Sequence, residues 1–419
     1  MSSILETTPE AAQHELSGEM RYIARQPILN LRGQVHGYAL LFDTGSDGII
    51  GGRGRDAART ILDDVVLFGL ERLTGGLQAF IKCTSEALIQ HLVAVLAPET
   101  TVLNIPESVK ATPQLMAACR QLKEAGFRFA LVDFTGNTTP HPLLELVDYV
   151  KVDLTRLGAP ERWRLLQQLQ GFTADLVAER VDTQEDFRTA VAEGFTYFQG
   201  LYFCYPQLIP NAKVPANRLF HIEILRQMQA DPLDMAKICP LIMRDASLVF
   251  RLLRLVNSPI CAIRQEVDSV ESAIMILGET TFRRIANLAI LREMNAEQPA
   301  ELLHMALVRA RFCELAAGLC QQSPKEQYLL GMLSLLPAML RCPMETLAPK
   351  LPLRAEIREA LLGAAIPERC LLGWIEAHER NQYKERNAIA EAYGLNEQRL
   401  DQFYVDAIVW DATTIRNAV

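Results

Sequence analysis

The side chains best suited to chemistry fall at the ends of short apolar runs. Asp133 follows Leu131-Val132, Lys151 and Asp153 alternate through Val150-Lys151-Val152-Asp153, Glu179 follows Ala178, and Gln199 precedes Gly200. Lys82 and Asn104 hold similar places in Phe80-Ile81-Lys82 and Leu103-Asn104-Ile105. Carboxylate and amide oxygens so placed can ligate hard cations, and an ammonium can pair with the carboxylates instead. Other signals are weaker. The nine cysteines are scattered singly with no C-x-x-C pair, so neither a zinc knuckle nor a disulfide framework is expected. Cys204, Cys261 and Cys313 read as small core residues. The Gly45 to Gly54 run lacks the Gly-Lys-Ser/Thr ending of a phosphate loop and reads as a surface loop. No Gly-x-Ser-x-Gly elbow is present.

The elements that must position these residues can be read in order. From Tyr22 to about Phe203, apolar and β-branched runs alternate with helical stretches, the pattern of a parallel α/β fold. Strands are expected over Tyr22 to Ile28, Gly37 to Phe42, Leu77 to Cys83, Thr101 to Ile105, Arg128 to Phe134, Tyr149 to Asp153, Ala174 to Glu179 and Thr196 to Phe203. Too few residues separate the first two for a crossover helix, so those two should be antiparallel neighbours. A β/α barrel accounts for the rest. Reactive groups of such barrels lie at the carboxyl ends of the strands, where the residues above are expected. Pro206, Pro210 and Pro215 mark a linker, beyond which strand-like runs vanish. Helices follow, among them Arg244 to Val256 and Asp268 to Leu277, the latter opening on Asp268 and Glu271 at capping-box spacing and ending before Gly278. The expected division is a tail over 1–18, a barrel over 19–208 and a helical domain over 209–419.

Composition narrows the class. A chain of 419 residues, 49% hydrophobic and 22% charged, is long enough for two buried cores. A net charge of −8 argues against a broad phosphate-binding surface, so nucleic acid is not an expected partner. Arg251, Arg254, Arg283 and Arg284 read as solvated helix faces. Glu6, Glu10, Glu15 and Glu19 precede the first basic residue, Arg21, unlike a secretory signal. The apolar stretch Leu329 to Leu340 is shorter than the roughly 20 residues of a spanning helix. A soluble, cytoplasmic protein without membrane contact is expected.

Gln26-Pro27-Ile28 and Gly37-Tyr38-Ala39-Leu40-Leu41-Phe42 resemble the EAL family of cyclic-di-GMP phosphodiesterases. The likeness continues in order through Phe80-Ile81-Lys82, Leu103-Asn104-Ile105-Pro106-Glu107, Leu131-Val132-Asp133-Phe134, Val150-Lys151-Val152-Asp153, Ala178-Glu179-Arg180-Val181-Asp182-Thr183 and Gln199-Gly200. The resemblance implies a TIM-like barrel whose strand ends hold magnesium or manganese for attack of water on a phosphodiester. Four implied ligand positions depart from it: Ala39 for the glutamate of the family name, Lys82 for an asparagine, Asn104 for a glutamate and Val132 for an aspartate. Asp133, Lys151, Asp153, Glu179 and Gln199 survive. Without a metal, Lys82 or Lys151 is expected to pair with Asp133, Asp153 or Glu179. Asp43 replaces the arginine that meets ligand phosphate, and Arg180 replaces a glycine and is expected to crowd the mouth.

The helical half resembles the HDOD family through Asp231-Pro232, the run from Leu252 to Ser258, Val270 to Ile274, Leu277-Gly278 and the run from Leu329 to Leu336. That family resembles HD phosphohydrolases without their metal ligands. Here His221, His304 and His378 are the only histidines, none followed by Asp, and His304 is expected to be a packed or rim residue. The two resemblances together imply a non-catalytic bacterial signalling regulator acting through protein partners, without cofactor or metal. A cyclic-di-GMP receptor that does not hydrolyse, and a residual metal-dependent phosphodiesterase, remain the alternatives. A homodimer is allowed through the face near Thr135 to Pro142.

Overall fold

The computed structural model describes residues 22–43, 69–136, 141–205, 216–228, 232–258, 261, 263, 267–351 and 353–415. The expected N-terminal tail, the Gly45 to Gly54 loop, the three linker prolines, Asp231 and half of the Thr135 to Pro142 loop lie outside these residues. Contacts divide the chain into two compact units: Met20–Pro206 with Trp374–Val409, and Gln207–Gly373 with Trp410–Val419.

The first unit is built on a closed barrel of eight strands in sequence order. They are β1 Tyr22–Asn30, β2 Val35–Asp43, β3 Gln78–Lys82, β4 Thr101–Pro106, β5 Arg128–Val132, β6 Tyr149–Asp153, β7 Asp175–Glu179 and β8 Tyr197–Gln199. β1 runs antiparallel to both β2 and β8, and the other neighbours are parallel. The β1–β2 turn is tight because Asn30 Oδ1 accepts from the Arg32 and Gln34 amides while Gly33 adopts φ 70°. All eight expected strands are present. Three end earlier than expected, β3 by one residue at Lys82 and β5 and β8 for a backbone reason: Asp133 turns left-handed at φ 56°, and Gly200 adopts φ 152°. A Cβ on Gly200 would sit 2.2 Å from Val181 O, so only glycine fits there.

Alternate residues fill the barrel. Ile28, Ala39, Phe80, Val102, Ala130, Val132, Tyr149 and Val177 form its buried core. Helices of eight or more residues are labelled here; in this unit they begin with α1 Pro113–Glu124, α2 Ala159–Leu169 and α3 Gln184–Glu193. α3 carries a capping box between Thr183 and Asp186 and ends at left-handed Gly194. At the amino end of the barrel, His36 Nε2 lies 3.0 Å from Tyr149 Oη, and its ring lies tilted with its centre 4.2 Å from that of Tyr197.

The second unit contains α4 Ala216–Gln227, α5 Met235–Ile242, α6 Ala246–Val256, α7 Val270–Met294, α8 Ala300–Ala316 and α9 Pro324–Leu333. Its sequence motifs have structural duties. Asp245 caps α6, accepting from Leu248 N, and faces His221 Nε2 at 3.0 Å. Asn257 makes two 2.8 Å hydrogen bonds with the Val267 backbone. α7 is capped by Ser269, which accepts from Ser272 N, and not by Asp268: both side chains can cap, and the chain enters the helix one residue later than expected. Gly278 breaks α7 at φ 72°, ψ 164°, where the helix stop is expected. His304 is buried, with Nδ1 2.9 Å from Asp411 Oδ1, as suits a packed histidine. Arg251, Arg283 and Arg284 each meet a glutamate: Glu293, Glu279 and Glu314.

α10 Cys370–Glu379, α11 Tyr383–Ala392 and α12 Glu397–Trp410 follow, and Trp374–Val409 belongs to the barrel unit. A buried arginine holds this segment together. Arg386 lies over Trp374 at 5.7 Å and Tyr383 at 5.3 Å, and its guanidinium reaches Asp401 at 3.7 Å and Glu397 at 3.5 Å. No described helix is long and apolar enough to cross a membrane.

Burial, and then the Arg128 charge, holds the His36 imidazole below its ordinary range. The unfolded chain therefore takes up a proton more readily than the folded one. The stability this contributes is full above the unfolded value of about 6.5 and is lost as pH falls through the depressed folded value. Thermal melts should show Tm falling from about pH 8 to 5.5, with a shallower fall in His36→Gln; parallel curves would contradict the assignment.

Candidate functional site

The carboxyl ends of β2 to β8 converge at one mouth, and register brings the polar residues together. Lys82 and Asn104 are neighbours across β3 and β4, Asp153 and Glu179 across β6 and β7, and Glu179 and Gln199 across β7 and β8. Two connected strings of polar groups result. In the first, Lys82 Nζ lies 3.1 Å from Asp133 Oδ2, Arg156 Nη1 lies 3.2 Å from Asp133 Oδ1, and Arg156 Nε lies 3.3 Å from Asp153 Oδ2. Arg180 Nε adds a contact to the same Asp153 oxygen at 3.1 Å, while Asp153 Oδ1 accepts from the Thr155 amide and hydroxyl. In the second, Lys151 Nζ lies 2.6 Å from both Glu179 Oε1 and Gln199 Oε1. Gln199 Nε2 donates to Gln26 Oε1 at 2.9 Å, and Gln26 Nε2 donates to the Glu379 carbonyl at 3.3 Å.

Burial ranks these contacts. Lys151 is 2% exposed and Glu179 17%, so their attraction works in a poorly screened setting. Arg156 and Arg180 are 52% and 64% exposed, and such pairs contribute little individually. The expected ion pairing is present for Lys82 with Asp133 and for Lys151 with Glu179. Lys82 itself is part-exposed. Arg180 occupies φ 57°, a left-handed conformation that favours glycine, and its guanidinium points to Asp153. Ala39 and Val132 pack in the barrel core and offer no donor. Asp43 ends β2, but its side chain lies outside the described residues.

A cavity of about 410 Å³ opens above this network. Its wall includes Gln26, Asp133, Asp153, Arg156, Arg180 and, from the far end of the chain, Arg380 with Asn381 and Gln382. Arg380 Nε donates to Tyr205 Oη at 2.9 Å, with the guanidinium 5.1 Å from the ring centre. Sequence reasoning missed Arg156 and the Glu379 to Gln382 segment. Arg156 stands three residues beyond Asp153, a spacing that could have flagged it. Nothing local marks Glu379 to Gln382, because its contact partners lie more than 170 residues away.

The EAL domain family matches residues 81–206 and the HDOD domain family residues 215–348. The chain joins an EAL domain to an HDOD domain. Among curated proteins, it is 28% identical over 400 residues to an uncharacterized protein of Bacillus subtilis named YuxH, covering 93% of this chain and 97% of that protein. It is 29% identical over 398 residues to Vibrio cholerae CdgJ, named a cyclic di-GMP phosphodiesterase, covering 93% and 92%. Among solved structures, the calcium/cyclic-di-GMP complex of Klebsiella pneumoniae BlrP1 aligns with a TM-score of 0.37 at 21% identity, over 46% of this chain and 57% of that one.

The fold family implies a divalent cation at the EAL mouth. The donors present do not fit one. Asp133, Asp153 and Glu179 each already face a lysine or arginine nitrogen within 3.3 Å. Two strand-end oxygens have no hydrogen-bond partner in the protein: buried Asn104 Oδ1, a neutral amide whose strand neighbour is Lys82, and Glu107 Oε1, whose carboxylate is held by its other oxygen on the Thr135 amide and hydroxyl. Hard cations take six or more oxygens with several carboxylates among them, which this arrangement does not supply.

Lys151→Met would leave Glu179 and Gln199 without their shared donor. Urea unfolding should show a loss of about 3 kcal/mol, with most of it recovered in Lys151→Met/Glu179→Leu. Additive effects of the two substitutions would show that the pair is not coupled.

Proposed function

We propose that this chain is a cyclic-di-GMP signalling protein whose EAL barrel does not turn the nucleotide over and which acts through protein partners. The observation carrying this reading is the mouth itself: Asp133, Asp153 and Glu179 are each matched by a side-chain cation. A metal-activated water needs an open, oxygen-rich coordination site, and the replacements Ala39, Lys82, Asn104 and Val132 supply one amide oxygen and one positive charge in its place. The relation to CdgJ supports the signalling class, although that relative is named a phosphodiesterase. The HDOD part supports the regulatory reading, since its His221 and His304 serve packing or capping contacts.

A second reading is favoured by the cavity. Arg156, Arg180 and Arg380 place three guanidinium groups around a space of about 410 Å³, within the usual range for small-molecule sites. In that reading the barrel is a receptor that holds the nucleotide intact.

One experiment separates these. Purified full-length protein is titrated calorimetrically with cyclic-di-GMP, with and without magnesium or manganese, and the nucleotide is then assayed for cleavage. The expected outcome is no cleavage and no heat of binding. Binding of intact nucleotide would replace the scaffold reading with the receptor. Metal-dependent cleavage would overturn both.

A further inference from the structure

Two of the nine cysteines stand apart from the rest. Cys320 ends the short 3-10 turn Ala317–Cys320 after α8, and Cys370 opens α10. They are 50 residues apart in sequence, yet their sulfur atoms lie 3.2 Å from each other as free thiols. Flanking hydrogen bonds hold the two segments together: Gln322 Nε2 donates to Pro367 O at 2.7 Å and Gln327 Nε2 to Glu368 O at 2.9 Å. Cys370 is buried, whereas Cys320 is part-exposed and within reach of a small oxidant.

We propose that Cys320 and Cys370 form a reversible peroxide-oxidised disulfide, a redox modification site in the helical unit. A disulfide needs sulfurs about 2.05 Å apart, so closure requires a movement of roughly 1.2 Å, within the range of side-chain rotation. The Cys320 thiolate attacks one oxygen of hydrogen peroxide. The O–O bond breaks, hydroxide leaves and takes a proton to become water, and Cys320 becomes a sulfenic acid. The Cys370 sulfur then attacks the Cys320 sulfur, the S–O bond breaks, and the hydroxyl leaves with the Cys370 proton as a second water. Two thiols and one peroxide give one disulfide and two waters.

The local chemistry assigns the roles. The hydrogen bond between the two sulfurs lowers the Cys320 thiol from its ordinary value and raises that of Cys370, and with Cys320 the more exposed of the two this makes Cys320 the attacking sulfur and Cys370 the resolving one. The competitors are disfavoured. Burial pushes the Cys119 and Cys261 thiols up to about 11, and it raises Cys83 further.

The test uses reduced, desalted full-length protein exposed to hydrogen peroxide, quenched with N-ethylmaleimide and read by intact-mass and peptide mass spectrometry. Two thiols should become unreactive together, with loss of the mass of two hydrogens. Tryptic peptides Phe312–Lys325 and Cys370–Arg380 should appear joined and be separated by dithiothreitol, with fragment ions placing the bond on Cys320 and not on Cys313. In Cys370→Ser the reaction should stop at a Cys320 sulfenic acid trapped by dimedone, and Cys320→Ser should leave Cys370 open to alkylation after denaturation. A wild-type protein in which Cys320 proceeds to sulfinic acid while Cys370 stays alkylatable would overturn the proposal, as would a Cys320 bond to any other cysteine.

Discussion

Carboxylates withdrawn from bulk water at the closed end of a barrel must have a counter-charge, and the rest of this site follows from how that demand is met. Here the protein supplies it with its own side chains. Lys151 serves Glu179 and Gln199 together, while Lys82, Arg156 and Arg180 divide Asp133 and Asp153. Without counter-charges these acids would repel one another, and the cations make of them a cross-strand tie spanning β3 to β8. The left-handed backbone at Asp133 and Arg180 lies beside these pairs, so the carboxylate and guanidinium that hold the network also hold two left-handed non-glycine turns of the mouth.

The same demand appears a second time near the end of the chain. Arg386 is almost wholly buried, and it is tolerated because aromatic faces cover its flat surfaces while Glu397 and Asp401 meet its edge. Planar, delocalised and weakly hydrated, a guanidinium can be stacked and paired at once, which an ammonium cannot. This fixes α10 to α12 as a block, and the block presents Glu379 O and Arg380 to the barrel mouth through Gln26 and Tyr205.

Much of this was legible in the sequence, for identifiable reasons. Buried parallel strands read as apolar runs, and the polar residue closing each run marks the mouth, so Lys82, Asp133, Lys151, Asp153, Glu179 and Gln199 could be placed before any coordinates. Ion pairing at Lys82 and Lys151 followed from the EAL resemblance together with charge balance. The exact partners did not, because register between strands and the turn carrying Arg156 decide which carboxylate each cation reaches. The early end of β8 depends on the close approach of Gly200 to Val181 O, and the cap at Ser269 on which of two adjacent cap formers the chain uses. The docking of Trp374–Val409 was illegible for a different reason: an amphipathic helix pattern shows that one face is buried but not against what.

That docking makes the barrel unit discontinuous in sequence, with Met20–Pro206 completed by Trp374–Val409. During synthesis, the barrel strands leave the ribosome long before the helices that finish their unit. At about 5 to 20 residues per second, the gap from Pro206 to Val409 lasts on the order of ten to forty seconds. For that interval the nascent barrel exposes the surface that Arg380 and its neighbours later cover, and the intervening helices are made while it waits. A chain whose barrel strands are all made but whose unit is still incomplete is thus an obligatory stage in the synthesis of this protein.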